Sequence, residues 1–311
     1  MERDSVVPNT EAVGEASGAV RSDAVDLVLD EAYERMARTD FELANGFVNH
    51  GPMACEALAT LGRTDQILGW ADWIVEAVPE GPEVDEGNGP SRFDWPSELG
   101  HYERLPEWLG FYKRLVDDDG WSSTVEVWVP RLVTGLATAL FHGAIRTAHA
   151  VRAVSAADTE SRRAELVRSL AYWSARFRPG MTTADSGEVG VIEAGVIEAA
   201  ADGASRYTTR PNIFNLHGVT GAMAVEILVD HVQPEAAADA LRQIRAEHSS
   251  MYRGIAATVS ETADAWDDDW IDMATRSHDP HQVKLVEACR RGFEATGGDR
   301  RFATAAERVT R

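Results

Sequence analysis

The chain has 311 residues, 44% of them hydrophobic, and a formal net charge of −21. Its length and apolar content suffice for a sizeable globular core. Its acidity excludes nucleic acid and anionic membrane surfaces as partners, because both would repel it.

Residues 1–22 are polar and rich in Ala, Gly and Ser, which predicts a flexible N-terminal segment. They lack the basic start and apolar stretch of a signal peptide, and no later run approaches the ~20 apolar residues of a membrane span. A soluble, cytoplasmic protein is therefore expected. An all-α domain is expected over 23–296. Helical spacing begins after Asp23, with Val25, Leu27, Val28, Leu29, Tyr33 and Met36. A second helix follows His50 and stops at Gly62; a third opens at Asp65 and carries Ile67, Leu68, Trp70 and Trp73. Residues 78–96 form a long Pro/Gly/acidic loop. Helices are predicted over 108–115, 125–132, 135–154 and 160–177, then a second irregular loop over 178–190. Further helices are predicted near 191–201, 218–232, 234–265, 267–276 and 280–294, with a weakly ordered end over 297–311. "STVEVWV" (122–128) is the one strand candidate. The expectation is a single compact multi-helix domain with two long irregular loops.

Cys55 and Cys289 lie in apolar helical patterns and outside any CxxC, which reads as buried free thiols. No GxGxxG follows a strand pattern, and GxxxxGK[ST], HExxH and GxSxG are all missing. The acidic run "DAWDDDW" (264–270) lacks EF-hand spacing and reads as a solvated helix start, with Trp266 and Trp270 on one core-facing side.

Three His-Gly steps recur: His50-Gly51, His142-Gly143 and His217-Gly218, the first and last followed by similar small-residue, Met-Ala, Glu, Leu patterns. Glycine beside histidine lets another chain or a ligand approach the backbone, although each pair also fits an ordinary cap. His142 and His149 are seven apart and share a helical stripe with Arg146, amid mostly apolar neighbours.

Only two lysines occur, Lys113 and Lys284. In "HDPHQVKLVEA" (278–288), Asp279 and Pro280 read as N-cap and first helical residue. His281 and Lys284 then share one face of the first turns. A helix N-terminus and apolar neighbours push an amine toward its neutral form, a state arginine does not reach. A neutral lysine can act as base, as Schiff-base nucleophile, or as the acceptor of carbon dioxide to give a carbamate ligand. The bland alternative is a lysine that reaches solvent or pairs with Glu287.

"NHGPMACEALATLG" (49–62), the stretch from Trp128 through "ALFHGAIRTAHAVRA" to residue 153, "LAYW" (170–173), "LHGVTGAMAVEILV" (216–229) and "HQVKLVEACRR" (281–291) together resemble the questin oxidase family. The matching blocks fall between about residues 28 and 294, most of the chain. Fungal relatives act on anthraquinone-type polyketides of secondary metabolism, in Baeyer–Villiger-like or ring-opening oxidations. At least one is described as a non-haem iron enzyme whose metal is held by histidines and a carboxylated lysine. The resemblance thus implies an oxidoreductase using Fe(II) with dioxygen. Its preferred metal ligands here are His50, His142, His217 and His281, with Lys284 carboxylated and His149 in reserve. Some relatives carry a second histidine four residues after the one matching His142; this chain has Arg146 there, and it is shorter than those fungal members.

On this reading the partner is a small aromatic substrate, a phenolate or reduced quinone. Arg146 would neutralise a phenolate, and Glu56 or Glu226 would orient a ligand imidazole. NADPH would serve only indirectly, through a reductase partner or prior reduction of the quinone, since no Rossmann motif is present. Two alternatives stay open: a Zn or Mn hydrolase with a carboxylated lysine, and a non-catalytic helical protein that binds an aromatic metabolite. No motif specifies an oligomeric state.

Overall fold

A computed structural model describes residues 25–87, 89–91, 94–180, 192–255 and 262–311. Among them are fourteen α-helices and no sheet, as the helical spacing predicts. The helices are α1 (residues 25–36), α2 (Gly51–Thr60), α3 (Thr64–Ala77), the short α4 (Trp95–Glu98), α5 (Leu105–Asp119), α6 (Trp121–Leu132), α7 (His142–Ala156) and α8 (Glu160–Arg176). They continue with α9 (Ile192–Thr209), α10 (Ile213–Val229), α11 (Pro234–Met251), α12 (Asp269–Arg276), α13 (Pro280–Ala295) and α14 (Arg300–Thr310). Two isolated β-bridges, Thr39 with Glu80 and Glu42 with Val48, pin the turn between α1 and α2. Among the described residues, no helix is long and apolar enough to cross a membrane. The expected flexible segment 1–22 and nearly all of the second loop lie outside the described residues.

Four helices form the centre. α7 packs against α2 and α10, and α13 packs against the same two, which closes a ring. α3 backs α2, α8 backs α7, α9 and α11 back α10, and α14 backs α13. Hence α2, α7 and α10 are buried over most of their length, whereas α13 keeps a more exposed side at Arg290, Arg291 and Glu294. Cys55 on α2 and Cys289 on α13 are buried free thiols, as expected.

Several sequence expectations are corrected. "STVEVWV" is not a strand but part of α6, where Thr124, Val125, Trp128, Val129 and Leu132 are buried and Val127 is exposed. That spacing is helical, and it outweighs the β-branched composition. The C-terminal segment is not weakly ordered. Gly297 and Gly298 make a left-handed turn, Asp299 caps α14 by accepting the Arg301 N–H, and Phe302, Ala303, Ala305 and Ala306 seal the core. The glycines separate two helices instead of ending the fold. The helix expected over 135–154 starts only at His142. Before it come a 3₁₀ turn, Val133–Gly135, and three consecutive left-handed residues, Ala139, Leu140 and Phe141, at φ of 47°, 58° and 65°. Helix α10 begins at Ile213, not at 218, so His217 lies in its second turn.

Candidate metal centre

The three His-Gly histidines meet at one end of the ring. His50 is the residue before α2, His142 is the first residue of α7, and His217 is the fifth of α10. All are buried, and their ligand atoms lie within 4.8 Å of one another. His142 Nε2 is 2.8 Å from His50 Nε2 and 3.0 Å from His217 Nε2. The glycines have the use their position suggests. A Cβ on Gly51 would stand 2.7 Å from Ile74, one on Gly143 2.6 Å from the Trp173 ring, and one on Gly218 1.8 Å from the Tyr252 hydroxyl. Each lets a neighbour pack directly against the backbone beside a cluster imidazole.

Local structure fixes how the rings face. Asn49, not His50, takes the Gly51 N–H at the start of α2, so the His50 ring has no capping bond to make. His142 Nδ1 donates to the carbonyl of left-handed Ala139, and His217 Nδ1 donates to Ile213 O at 2.7 Å. A carbonyl only accepts, so both rings carry their proton on Nδ1 and turn a bare Nε2 inward. This is the way metal-binding imidazoles are held by a partner on the far nitrogen.

The α13 residues adjoin this cluster as their spacing predicts. Asp279 caps the helix, accepting the His281 N–H at 2.9 Å, and also holds His281 Nδ1 at 3.0 Å. The His281 ring lies 4.4 Å from that of His50 and 5.4 Å from that of His217, centroid to centroid. Lys284 is fully enclosed and its Nζ has no hydrogen-bond partner. Burial lowers its pKa to about 7, with Asp279 opposing. Burial, then the nearby Lys284, brings His142 down to about 3. Burial likewise holds His50 and His217 well below the ordinary histidine value, and Lys284 adds to the effect on both. The first turns of α2, α7 and α13 all point their positive ends here, which also disfavours cationic side chains.

These facts leave an electrostatic gap. The bare Nε2 atoms of His142 and His217 present lone pairs to each other at 3.0 Å with no proton to share, which a bound cation would relieve. Two nitrogens about 2.1 Å from one ion stand about 3.0 Å apart at a right angle and about 3.4 Å at the tetrahedral angle. The observed 2.8 and 3.0 Å are close to the spacing of nitrogens that share one first-row ion.

A cavity of about 510 Å³ opens from the cluster to the surface. His50, His142, His217 and His281 form its floor, and Val48, Ala139, Leu140, Tyr172 and Ile213 its walls. Phe47 and Phe214 stand at the mouth, 63% and 60% exposed. Glu42, Arg176 and Arg178 also line it. Glu42 accepts from the Tyr172 hydroxyl at 3.0 Å and from Arg176 Nε at 2.8 Å.

Four sequence candidates lie elsewhere. Arg146 does not face the cavity; its guanidinium is bound to Glu165 at 2.6 and 2.9 Å beneath the Phe41 ring. His149 stands outside the cluster, with Nδ1 2.6 Å from Glu56 Oε2. Glu56 therefore orients His149 and also accepts from Arg152, rather than orienting a cluster imidazole. Glu226 pairs with Arg291. The reason is register: His149 and Arg146 do share a stripe of α7, but the helix starts at His142, and one and two turns later its residues pass below the cluster. Sequence reasoning missed Phe47, Phe214, Tyr172, Arg176 and the Ala139 carbonyl. Tyr172 sits in the "LAYW" block, the one signal that could have flagged it. No model of a known protein family matches the chain, and no curated protein matches it either.

Proposed function

We propose that the protein is a non-haem iron oxygenase acting on a flat, electron-rich aromatic substrate such as a hydroxylated quinone. The observation that carries this is the convergence of three buried imidazoles, two of them with bare nitrogens face to face, at the floor of an apolar cavity. His50, His142 and His217 would hold the ion, with His281 and Lys284 beside them; a Lys284 carbamate would add an oxygen ligand. A ferrous ion there supplies the activation of dioxygen that organic side chains lack. The resemblance to questin oxidases, read from the same histidines and lysine, supports both metal and substrate class.

The rest falls to the chain. Phe47, Phe214, Leu140 and Ile213 offer apolar surface to a planar ring system, which gains chiefly from burial. The helix N-termini at the floor favour negative charge, so a phenol docked there gives up its proton more readily. Arg178, rather than Arg146 or the Glu42-bound Arg176, is the cation available to a phenolate oxygen. Among the described residues a single group of three potential ligands is present, which favours one metal over the pair a carboxylated-lysine hydrolase usually holds.

Anaerobic loading with Fe(II), followed by addition of oxygen and a panel of hydroxylated anthraquinones, tests the proposal. Oxygen uptake coupled to loss of the quinone chromophore is expected. Iron-loaded protein that consumes no oxygen with any of them would refute it.

A further inference from the structure

One layer deeper in the ring lies a second polar cluster. Arg152 of α7 donates through Nε to Glu56 Oε1 at 2.7 Å and through Nη2 to Glu56 Oε2 at 2.5 Å, gripping α2 with both ends of its fork. Its Nη1 donates to Glu287 Oε1 of α13 at 2.6 Å. Glu287 also accepts from Arg291 at 2.8 Å, and Arg291 reaches α10 through Met223 O at 3.0 Å and Glu226. Each ring helix thus carries both a cluster residue and a residue of this layer. Glu56 is six residues beyond His50, Arg152 ten beyond His142, and Glu287 six beyond His281. At 1.5 Å per residue the two layers are about 9–15 Å apart along the axes.

We propose that Arg152 is a positioning residue: its fork sets the separation and axial register of α2, α7 and α13, and so the spacing of the imidazoles that would bind the metal. This rests on the metal-binding reading above. The reasoning is geometric. A helix moves as a rod, so fixing it at one level fixes its end. A bidentate arginine–carboxylate pair tolerates little change of angle or distance. Glu56 and Glu287 are 3% and 2% exposed, so the fork bears on groups with no competing water. Lysine keeps the charge but loses the fork.

The test measures Co(II) affinity by chelator competition, together with the visible spectrum of the Co(II) protein and its thermal midpoint. Arg152→Lys is compared with Arg162→Lys. Arg162 is a buried arginine on α8, outside the ring, that binds Asp30 at 2.7 Å and Asp26 at 2.8 Å and touches one ring helix only, donating to Ala153 O of α7 at 2.9 Å, so it joins no two ring helices to each other. For Arg152→Lys an affinity loss of about ten- to hundredfold and an altered visible band are expected. Arg162→Lys should lower the midpoint but leave affinity and spectrum as in the wild type. If Arg152→Lys does not fold, the triple variant Glu56→Gln, Arg152→Met, Glu287→Gln carries the test, because it strands no buried charge. Unchanged affinity in the folded Arg152 variant overturns the proposal, as does an equal loss in Arg162→Lys. A wild-type chain that takes up no Co(II) sinks the metal reading and the clamp together, whereas wild-type uptake with unaltered variant affinity sinks the clamp alone.

Discussion

At one level of the α2–α7–α10–α13 ring, three imidazoles face one another with the Lys284 amine buried beside them; about two to three turns along the same helices, two arginines and three glutamates meet. The deeper level is complete in itself. Arg152 uses Nε, Nη1 and Nη2 on two carboxylates, and Arg291 meets two more oxygens besides Glu287. The upper level is not, since Lys284 Nζ lacks a partner and two bare nitrogens oppose each other. Burial alone does not separate the roles of the two levels: His50, His142, His217 and Lys284 are buried, as are Glu56 and Glu287, while the side chains of Arg152, Arg291 and Glu226 stay 20%, 19% and 21% exposed. Completeness does: a finished polar network holds helices together, and an unfinished one, opened to a cavity, is where a further ligand would stabilise the fold.

The comparison can be broken hardest at the deeper level. Arg152→Ala leaves Glu56 and Glu287 buried without their shared cation and should cost about 3–5 kcal/mol in urea unfolding of the metal-free protein. A loss well under 1 kcal/mol would mean that the layer does not hold the ring. Acid should undo it next. Burial pushes Glu287 up, but Arg152 and Arg291 outweigh it and bring its pKa down to about 2; Arg152 and His149 hold Glu56 low in the same way. The unfolded chain therefore binds protons first as pH falls. The stability these carboxylates contribute is whole above about pH 4.5 and is lost toward pH 2, on the order of 3 kcal/mol for Glu287. The neutral triple variant should show a flatter acid limb, and an identical limb would count against the assignment.

At the upper level the signs reverse. Lys284→Met replaces an unpartnered buried amine with an apolar chain of similar volume, so metal-free protein should gain about 1–2 kcal/mol while metal uptake falls. A destabilised methionine variant would mean the amine has a partner after all. The smallest effect belongs to the left-handed turn. Ala139→Gly removes a Cβ from a strained φ and should add about 0.5–1 kcal/mol to thermal stability, after glycine's greater unfolded-state freedom is set against it. No gain would show that the turn is unstrained.

Much of this architecture was legible. Helical spacing gave the all-α class, and the Asp279-Pro280 cap put His281 and Lys284 on one turn, where they are found. The His-Gly steps marked all three cluster imidazoles, because the same small residue serves close packing each time. What stayed hidden depends on where helices start and on long-range register. Three left-handed residues before His142 leave no glycine or proline to announce them, and without that break His142, Arg146 and His149 look equivalent. Arg152 was illegible for the same reason: an arginine in a helix gives no sign that its two carboxylates come from residues 56 and 287. Phe47 and Phe214 resembled stray surface aromatics until the cavity joined them.

Metal content tests the central claim most directly. Wild-type protein loaded anaerobically with Fe(II) and freed of excess should retain one metal ion per chain, His149→Gln should retain it too, and His142→Ala and His217→Ala should retain none while keeping their helical circular dichroism. Folded wild-type protein that retains no first-row metal, or histidine variants that hold it as well as the wild type, would contradict the account.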